Sequence, residues 1–256
     1  MKEQIQKITH VEHILKRPDS YVGPVACINE QYWVLDGDAF THQYVRYSPA
    51  LLKIFDEILV NAIDRNSTFP DQVKFIKVAI DRTSGAISIE NGGPLGGISV
   101  EQHPIEKIWN PELTFGHLLT STNYDDTQER LVGGRNGYGA KLANVFSKVF
   151  VINIYDDVNQ VHYSQKWTNN MTVCEPPKMK KYTKKTSSVN ITFVPDWEKF
   201  GMNSMDDDLF KIFEKRVYDA NFCTSKKCQV SFHDVILPKC SHDIYGLDSK
   251  NTPCTS

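Results

Sequence analysis

The stretch Gly133-Gly134-Arg135-Asn136-Gly137-Tyr138-Gly139 opens directly into a helical run over residues 140–146. Glycines ahead of a helix let backbone N–H groups turn into one concavity, and the helix N-terminus adds positive potential. A phosphate chain requires that arrangement. Arg135 and Lys141 flank the stretch and can add charge-assisted hydrogen bonds. Two common templates do not fit. The segment lacks the closing Gly-Lys-Ser/Thr of a P-loop, and Gly137-Tyr138-Gly139 is not followed by the third glycine of a dinucleotide fingerprint.

A second segment supplies a complementary part. Ser48-Pro49 reads as an N-cap followed by Pro at the first helical position. The helix it starts is predicted to run to about Arg65. Leu51, Leu52, Phe55, Ile58, Leu59, Ala62 and Ile63 form its apolar side. Glu57, Asn61 and Asp64 fall on the opposite side, within roughly 60° of one another at 100° per residue. A carboxylate such as Glu57 can orient and deprotonate a water for attack on a terminal phosphate. Asn61 offers an amide oxygen to Mg²⁺, a hard cation that keeps several of its waters. An ordinary solvated helix face explains the stripe taken alone; the glycine stretch and the stripe together favour phosphate chemistry.

Strand signals cover residues 75–80 and 86–90, joined by the turn-like residues 81–85. A glycine-rich loop is predicted over residues 91–97. Further strands are predicted at residues 149–155, 161–167, 189–193 and 229–232, and a further helix at residues 209–220. Helices mixed with hairpin-like strand neighbours indicate an α+β sandwich rather than a doubly wound parallel sheet.

Composition narrows the function. Lys and Arg total 29 against 31 Asp and Glu, a formal charge of −2, which excludes a module that grips nucleic acid by charge alone. Five lysines within residues 178–185 form the one basic cluster of note. It reads first as a solvated loop and second as a DNA contact. No apolar run approaches a membrane span and no signal-peptide h-region follows Met1. Cys223, Cys228, His233 and Cys240 have zinc-ligand chemistry, but their spacing fits no common pattern, so reduced thiols are expected.

The residues 57–64, Glu-Ile-Leu-Val-Asn-Ala-Ile-Asp, resemble the N box of the GHKL ATPases, a group that includes gyrase, chaperones, histidine kinases and mismatch-repair proteins. Residues 133–141 resemble the glycine-rich ATP lid of type IIA DNA topoisomerases, the eukaryotic branch in particular. Residues 13–23, 53–57 and 118–126 are further matches to that family, and residues 191–196 resemble the strand that carries a nucleotide-binding Thr. The motifs stand in family order from about Gln6 to Phe232.

The resemblance implies a Bergerat (GHKL) fold: a two-layer α+β sandwich of a mixed, mainly antiparallel sheet with helices on one face. It implies ATP and Mg²⁺ as cofactors. Glu57 is then the general base and Asn61 holds Mg²⁺. Asn91 reads the adenine edge, since an amide offers both a donor and an acceptor. Thr192 supports that contact through a water, and Ser121, Thr122 and Asn123 bond ribose or phosphate oxygens. Gly134, Arg135, Asn136, Gly137, Tyr138, Gly139, Ala140 and Lys141 wrap the phosphates. Ile5 stands near the place where gyrase-like arms carry a tyrosine, so nucleotide contact from the partner's arm is not expected.

The expected function is the N-terminal gate domain of a type II topoisomerase. It forms a homodimer on ATP binding and drives duplex passage in a longer enzyme, where DNA is the partner. The expected division is an arm over residues 1–25, the ATPase domain over 26–235, and the start of a connection to a transducer domain over 236–256. Without that domain's lysine, ATP is expected to bind but to be hydrolysed slowly. Two alternatives are a GHKL clamp of the chaperone or mismatch-repair type and a nucleotide switch without catalysis. The resemblance implies a nuclear protein, or a viral replication site if the source is a virus.

Overall fold

The computed structural model describes residues 7–37, 39–119 and 139–239. The chain begins with two short helices, α1 (His10–Lys16) and α2 (Asp19–Val22), then an antiparallel hairpin of β1 (Ile28–Asp36) and β2 (Ala39–Tyr47). Thr9 and Glu12 form a reciprocal capping box that starts α1. Next comes α3 (Pro49–Thr68), the longest helix among the described residues. The Ser48 hydroxyl oxygen accepts the Leu51 N–H at 3.4 Å, so the cap forms where the sequence places it. The helix continues past Arg65 to Thr68, whose hydroxyl donates to the Asp64 carbonyl at 2.9 Å.

The main sheet is built from β3 (Phe75–Asp81) and β4 (Ala86–Gly93), then, after α4 (Asn110–Gly116) and α5 (Gly139–Val145), from β5 (Ser147–Asp156), β6 (Val161–Thr168), β7 (Val173–Cys174), β8 (Lys178–Lys181) and β9 (Ser187–Pro195). Helix α6 (Asp207–Cys223) leads to β10 (Gln229–Phe232) and β11 (Val235–Ile236). The strand order is β11-β10-β3-β4-β9-β5-β6-β7, with β8 also on β6. Only the β10–β3 pairing is parallel among the described strands. The expected mixed, mainly antiparallel α+β sheet is what forms.

Alternation decides which face carries the core. Ile76, Val78, Ile87, Ile89, Phe150, Ile152, Ile191 and Phe193 are buried, while the residues between them, such as Lys77, Ser88, Val151 and Thr192, are exposed or half-buried. The cross-strand register puts the buried set on one face. The helices cover that face. Phe115 of α4 meets Phe150, Phe210 of α6 meets Phe232, and Phe55 of α3 stacks on Phe213 of α6 with centroids 4.1 Å apart.

Two loop expectations change. Residues 178–185 are not all loop: β8 pairs antiparallel with β6, and all four of its residues are exposed. An exposed edge strand needs no apolar face, so lysines suit it and leave no hydrophobic alternation to read. Likewise Asn91, Gly92 and Gly93 remain in β4, the first two paired with both β3 and β9 and Gly93 with β9 alone, and the loop starts only after them. A Cβ at Gly92 would lie 2.6 Å from the Ser188 Cβ and 2.9 Å from the Phe75 ring, so glycine here allows close strand packing.

An ion pair locks α3 to α6. The Arg216 Nε donates to Asp56 Oδ1 at 2.8 Å and its Nη1 to Asp219 Oδ2 at 3.0 Å. All three side chains are about a quarter exposed or less. Arg216→Ala leaves Asp56 partly desolvated with Asp219 as its charged neighbour. The expected cost is about 2 kcal/mol, the buried-pair range discounted for partial exposure. Urea denaturation checks this; an unchanged midpoint would remove the pair from the stability of the helical layer.

Candidate nucleotide site

Glu57 and Asn61 project from α3 away from the side that carries Leu51, Ile54, Ile58 and Ala62 into the core. Their four-residue spacing puts them one above the other. Glu57 is half-buried, and its Oε1 takes an ion pair from the exposed Lys53 at 2.5 Å. Asn61 is exposed. Gly139, the first residue of α5, lies directly against both. A Cβ built on it would stand 2.6 Å from Glu57 Oε2 and 3.9 Å from Asn61 Nδ2. The end of the glycine stretch and the polar stripe are thus one place in the fold, though some eighty residues separate them in sequence.

Ala140 is half-buried beside the core, and Lys141 is 4% exposed. Burial pulls the Lys141 ammonium down to about 8. A lysine held this way loses its charge at a lower pH than a solvated one.

Asn91 lies on the face that the helices cover. It alternates with Ile89 and Ile87, and its cross-strand partners are Ile76 and Val189. It is half-buried, near the end of β4 that runs out beside α3.

Thr192 does not join it. Its cross-strand partners are Ser88 and Val151, and it lies between Ile191 and Phe193, which are buried in the core. Alternation therefore sends it to the opposite face of the sheet from Asn91. There its hydroxyl lies 3.2 Å from both Ser88 Oγ and Asn190 Oδ1, and its one proton serves one of them at a time. The expected Thr192 support for an adenine contact is corrected. The β9 residue that shares a face with Asn91 and pairs with it is Val189. Counting inward from Phe193 through Ile191 would have found it. Ser121, Thr122, Asn123, Gly134, Arg135, Asn136, Gly137 and Tyr138 lie outside the described residues.

Arg65 was not among the expected site residues, although it continues the same stripe, at four and eight residues beyond Asn61 and Glu57. Its Nη2 donates to the Gly97 carbonyl at 3.0 Å. Lys53, the Glu57 partner, was read only as part of a motif. Among the described residues no three His, Cys, Asp or Glu side chains gather as a metal cluster, and Cys27, Cys174, Cys223 and Cys228 are free thiols. No helix of the described residues is long and apolar enough to cross a membrane.

No protein-family model matches the chain. Individual proteins do. It is 48% identical over 221 residues to DNA topoisomerase 2 of Candida glabrata, covering 86% of this chain and 16% of that protein. It is 44% identical over 257 residues to a probable DNA topoisomerase 2 of Dictyostelium discoideum, covering 99% and 17%. The chain therefore spans about a sixth of these relatives. Among solved structures, the ATPase region of Saccharomyces cerevisiae topoisomerase II superposes with a TM-score of 0.86 at 43% identity, over 91% of this chain and 61% of that one. The ATPase and transducer domains of Balamuthia mandrillaris DNA topoisomerase II give 0.87 at 38% identity, over 94% and 62%. A sheet with this register, a polar stripe on α3 meeting the last glycine of the lid motif, and this degree of identity across nearly the whole chain have one common account: the chain belongs to the type II DNA topoisomerase family and falls within its GHKL-type ATPase region.

Proposed function

We propose that the chain binds and hydrolyses ATP as the N-terminal gate domain of a longer type II topoisomerase, closing as a homodimer on ATP and acting on DNA through the rest of that protein. The observation that carries the reading is Gly139 packed against Glu57 and Asn61, which joins a phosphate-binding segment to a candidate base and metal ligand. Glu57 takes the proton of the attacking water, and Lys53 keeps its carboxylate oriented. Lys141 faces the phosphates with its charge, and Asn91 pairs with the adenine edge through its amide. By kinship with eukaryotic enzymes the longer protein works in the nucleus.

The residues fit Mg²⁺. The donor set is an exposed amide oxygen beside a carboxylate, both hard oxygen ligands. Mg²⁺ takes few protein ligands and fills its remaining positions with water and substrate phosphate. Asn61 would hold the ion, which supplies charge neutralisation at the phosphates when bound.

Lys141 gives the test a pH signature. Its folded value of about 8 lies below the ordinary 10.5. Above about pH 8 the free protein has lost this proton, so nucleotide binding must take one up, and Mg-ATP affinity falls as pH rises from 7 to 9. The same shift has a defined effect on folding. Between 8 and 10.5 the unfolded chain holds more protons, so this group's contribution to stability rises with pH across that window. Calorimetry in two buffers of different ionisation enthalpy reads the proton uptake. Absence of Mg-ATP binding at pH 7 refutes the function. Binding with no proton uptake at pH 8.5 removes Lys141 from the phosphates.

A further inference from the structure

Arg65 has no role in the chemistry above, yet it occupies a particular place. It follows Glu57 and Asn61 on the α3 stripe, about 12 Å along the helix from Glu57 at 1.5 Å per residue. That is the order of length between the terminal phosphate and the base of an extended nucleotide. Its guanidinium carbon sits 4.7 Å from the centroid of Phe69, the C-cap residue that follows α3, and its Nη2 donates to the Gly97 carbonyl. Gly97 lies six residues after Asn91, on the loop that β4 enters after Gly93.

That loop is tightly seated on its other sides. Gly96 N–H donates to the Gly93 carbonyl at 3.1 Å, closing a turn. A Cβ on Gly96 would lie 2.6 Å from the Gln72 carbonyl oxygen, and one on Gly97 would lie 2.9 Å from the Ser187 Cβ and 3.3 Å from the Tyr155 carbonyl oxygen. Packing thus holds the turn against the sheet and the end of the α3–β3 connection. The Arg65 bond ties it to the α3 stripe, where Glu57 and Asn61 stand. A planar fork that stacks on one ring and bonds one carbonyl fixes both distance and angle, which a flexible ammonium does not.

We propose that Arg65 is a positioning residue for the base end of the nucleotide site: by holding the Gly97 carbonyl it sets the 93–97 turn beside Asn91, and so sets affinity for the adenosine part of ATP rather than for its phosphates. This rests on the nucleotide-site reading above. The experiment uses the chain as it stands with Arg65→Ala and Arg65→Lys. Mg-ATP is titrated calorimetrically, and inorganic tripolyphosphate, which lacks base and ribose, is measured by competition.

Arg65→Ala is expected to weaken ATP about tenfold, the effect of losing one charge-assisted hydrogen bond. Tripolyphosphate affinity should stay within about twofold, and Arg65→Lys should fall between wild type and Ala. In a chain extended through the following domain, KM should rise by the same factor while kcat at saturating ATP stays within about twofold. Equal weakening of ATP and tripolyphosphate overturns the proposal, as does unchanged ATP affinity in Arg65→Ala. If Arg65→Ala does not fold, a lysine variant identical to wild type for both ligands overturns it equally. Wild-type chain that does not bind ATP overturns the site reading and the proposal together; wild-type binding with an indifferent Arg65 overturns the proposal alone.

Discussion

Glu57→Gln should leave Mg-ATP affinity within about threefold and lower the rate of hydrolysis by roughly 10²–10⁴-fold, the usual worth of a positioned general base. The substitution keeps the side chain's shape beside Gly139 and removes its capacity to accept a proton. It also breaks the ion pair with Lys53, which is 53% exposed. Pairs that exposed are worth well under about 1 kcal/mol, so folding is little affected. The rate is best read by single-turnover hydrolysis in a chain extended through the following domain, because the chain alone is expected to turn over slowly. Unchanged hydrolysis would assign the base to another group. Lost binding together with lost hydrolysis would make Glu57 a ligand rather than a base.

The sequence made α3 legible because cap chemistry and periodicity agree there. Ser48 and Pro49 start it, and the buried Leu51, Phe55, Ile58 and Ala62 keep one side. The central strands were legible through alternation. The β1–β2 hairpin was not predicted. Its apolar residues are split between faces, with Val34 and Val45 buried but Trp33 and Tyr44 exposed, so no single inward stripe stands out. For the site, the motifs name Glu57, Asn61, Asn91 and Thr192 without their faces, and the sheet register puts Thr192 on the opposite face from Asn91. A motif records which residues recur together. It does not record which side of a strand each occupies, and that parity was readable from Ile191 and Phe193. Arg65 escaped because a stripe drawn from acids and amides ends at Asp64, one residue before a cation whose partner lies 32 positions on.

The largest structural effect is expected at Gly93. Its φ of 155° is a conformation that side-chain-bearing residues rarely adopt. A Cβ there runs into the Gln72 carbonyl oxygen and lies 2.9 Å from the Lys74 nitrogen. Both obstacles are backbone, and the adjoining ladder fixes them: Lys74 N–H donates to the Gly92 carbonyl at 2.7 Å. Gly93→Ala therefore adds backbone strain to overpacking, about 3 kcal/mol together. For a chain of this size that is roughly a 10 °C loss in thermal midpoint. Gly201→Ala separates the two causes. Gly201 has φ 64° but nothing within 4 Å of a built Cβ, so only conformational strain applies, about 1 kcal/mol. Gly93 is also two residues from Asn91, whereas Gly201 closes a 3₁₀ turn after Phe200. Gly93→Ala should accordingly weaken Mg-ATP measured well below its melting temperature, and Gly201→Ala should not. Equal melting losses in the two variants would show that the Gln72 backbone yields. An unchanged ATP affinity in a folded Gly93→Ala chain would mean that the end of β4 does not set the position of Asn91.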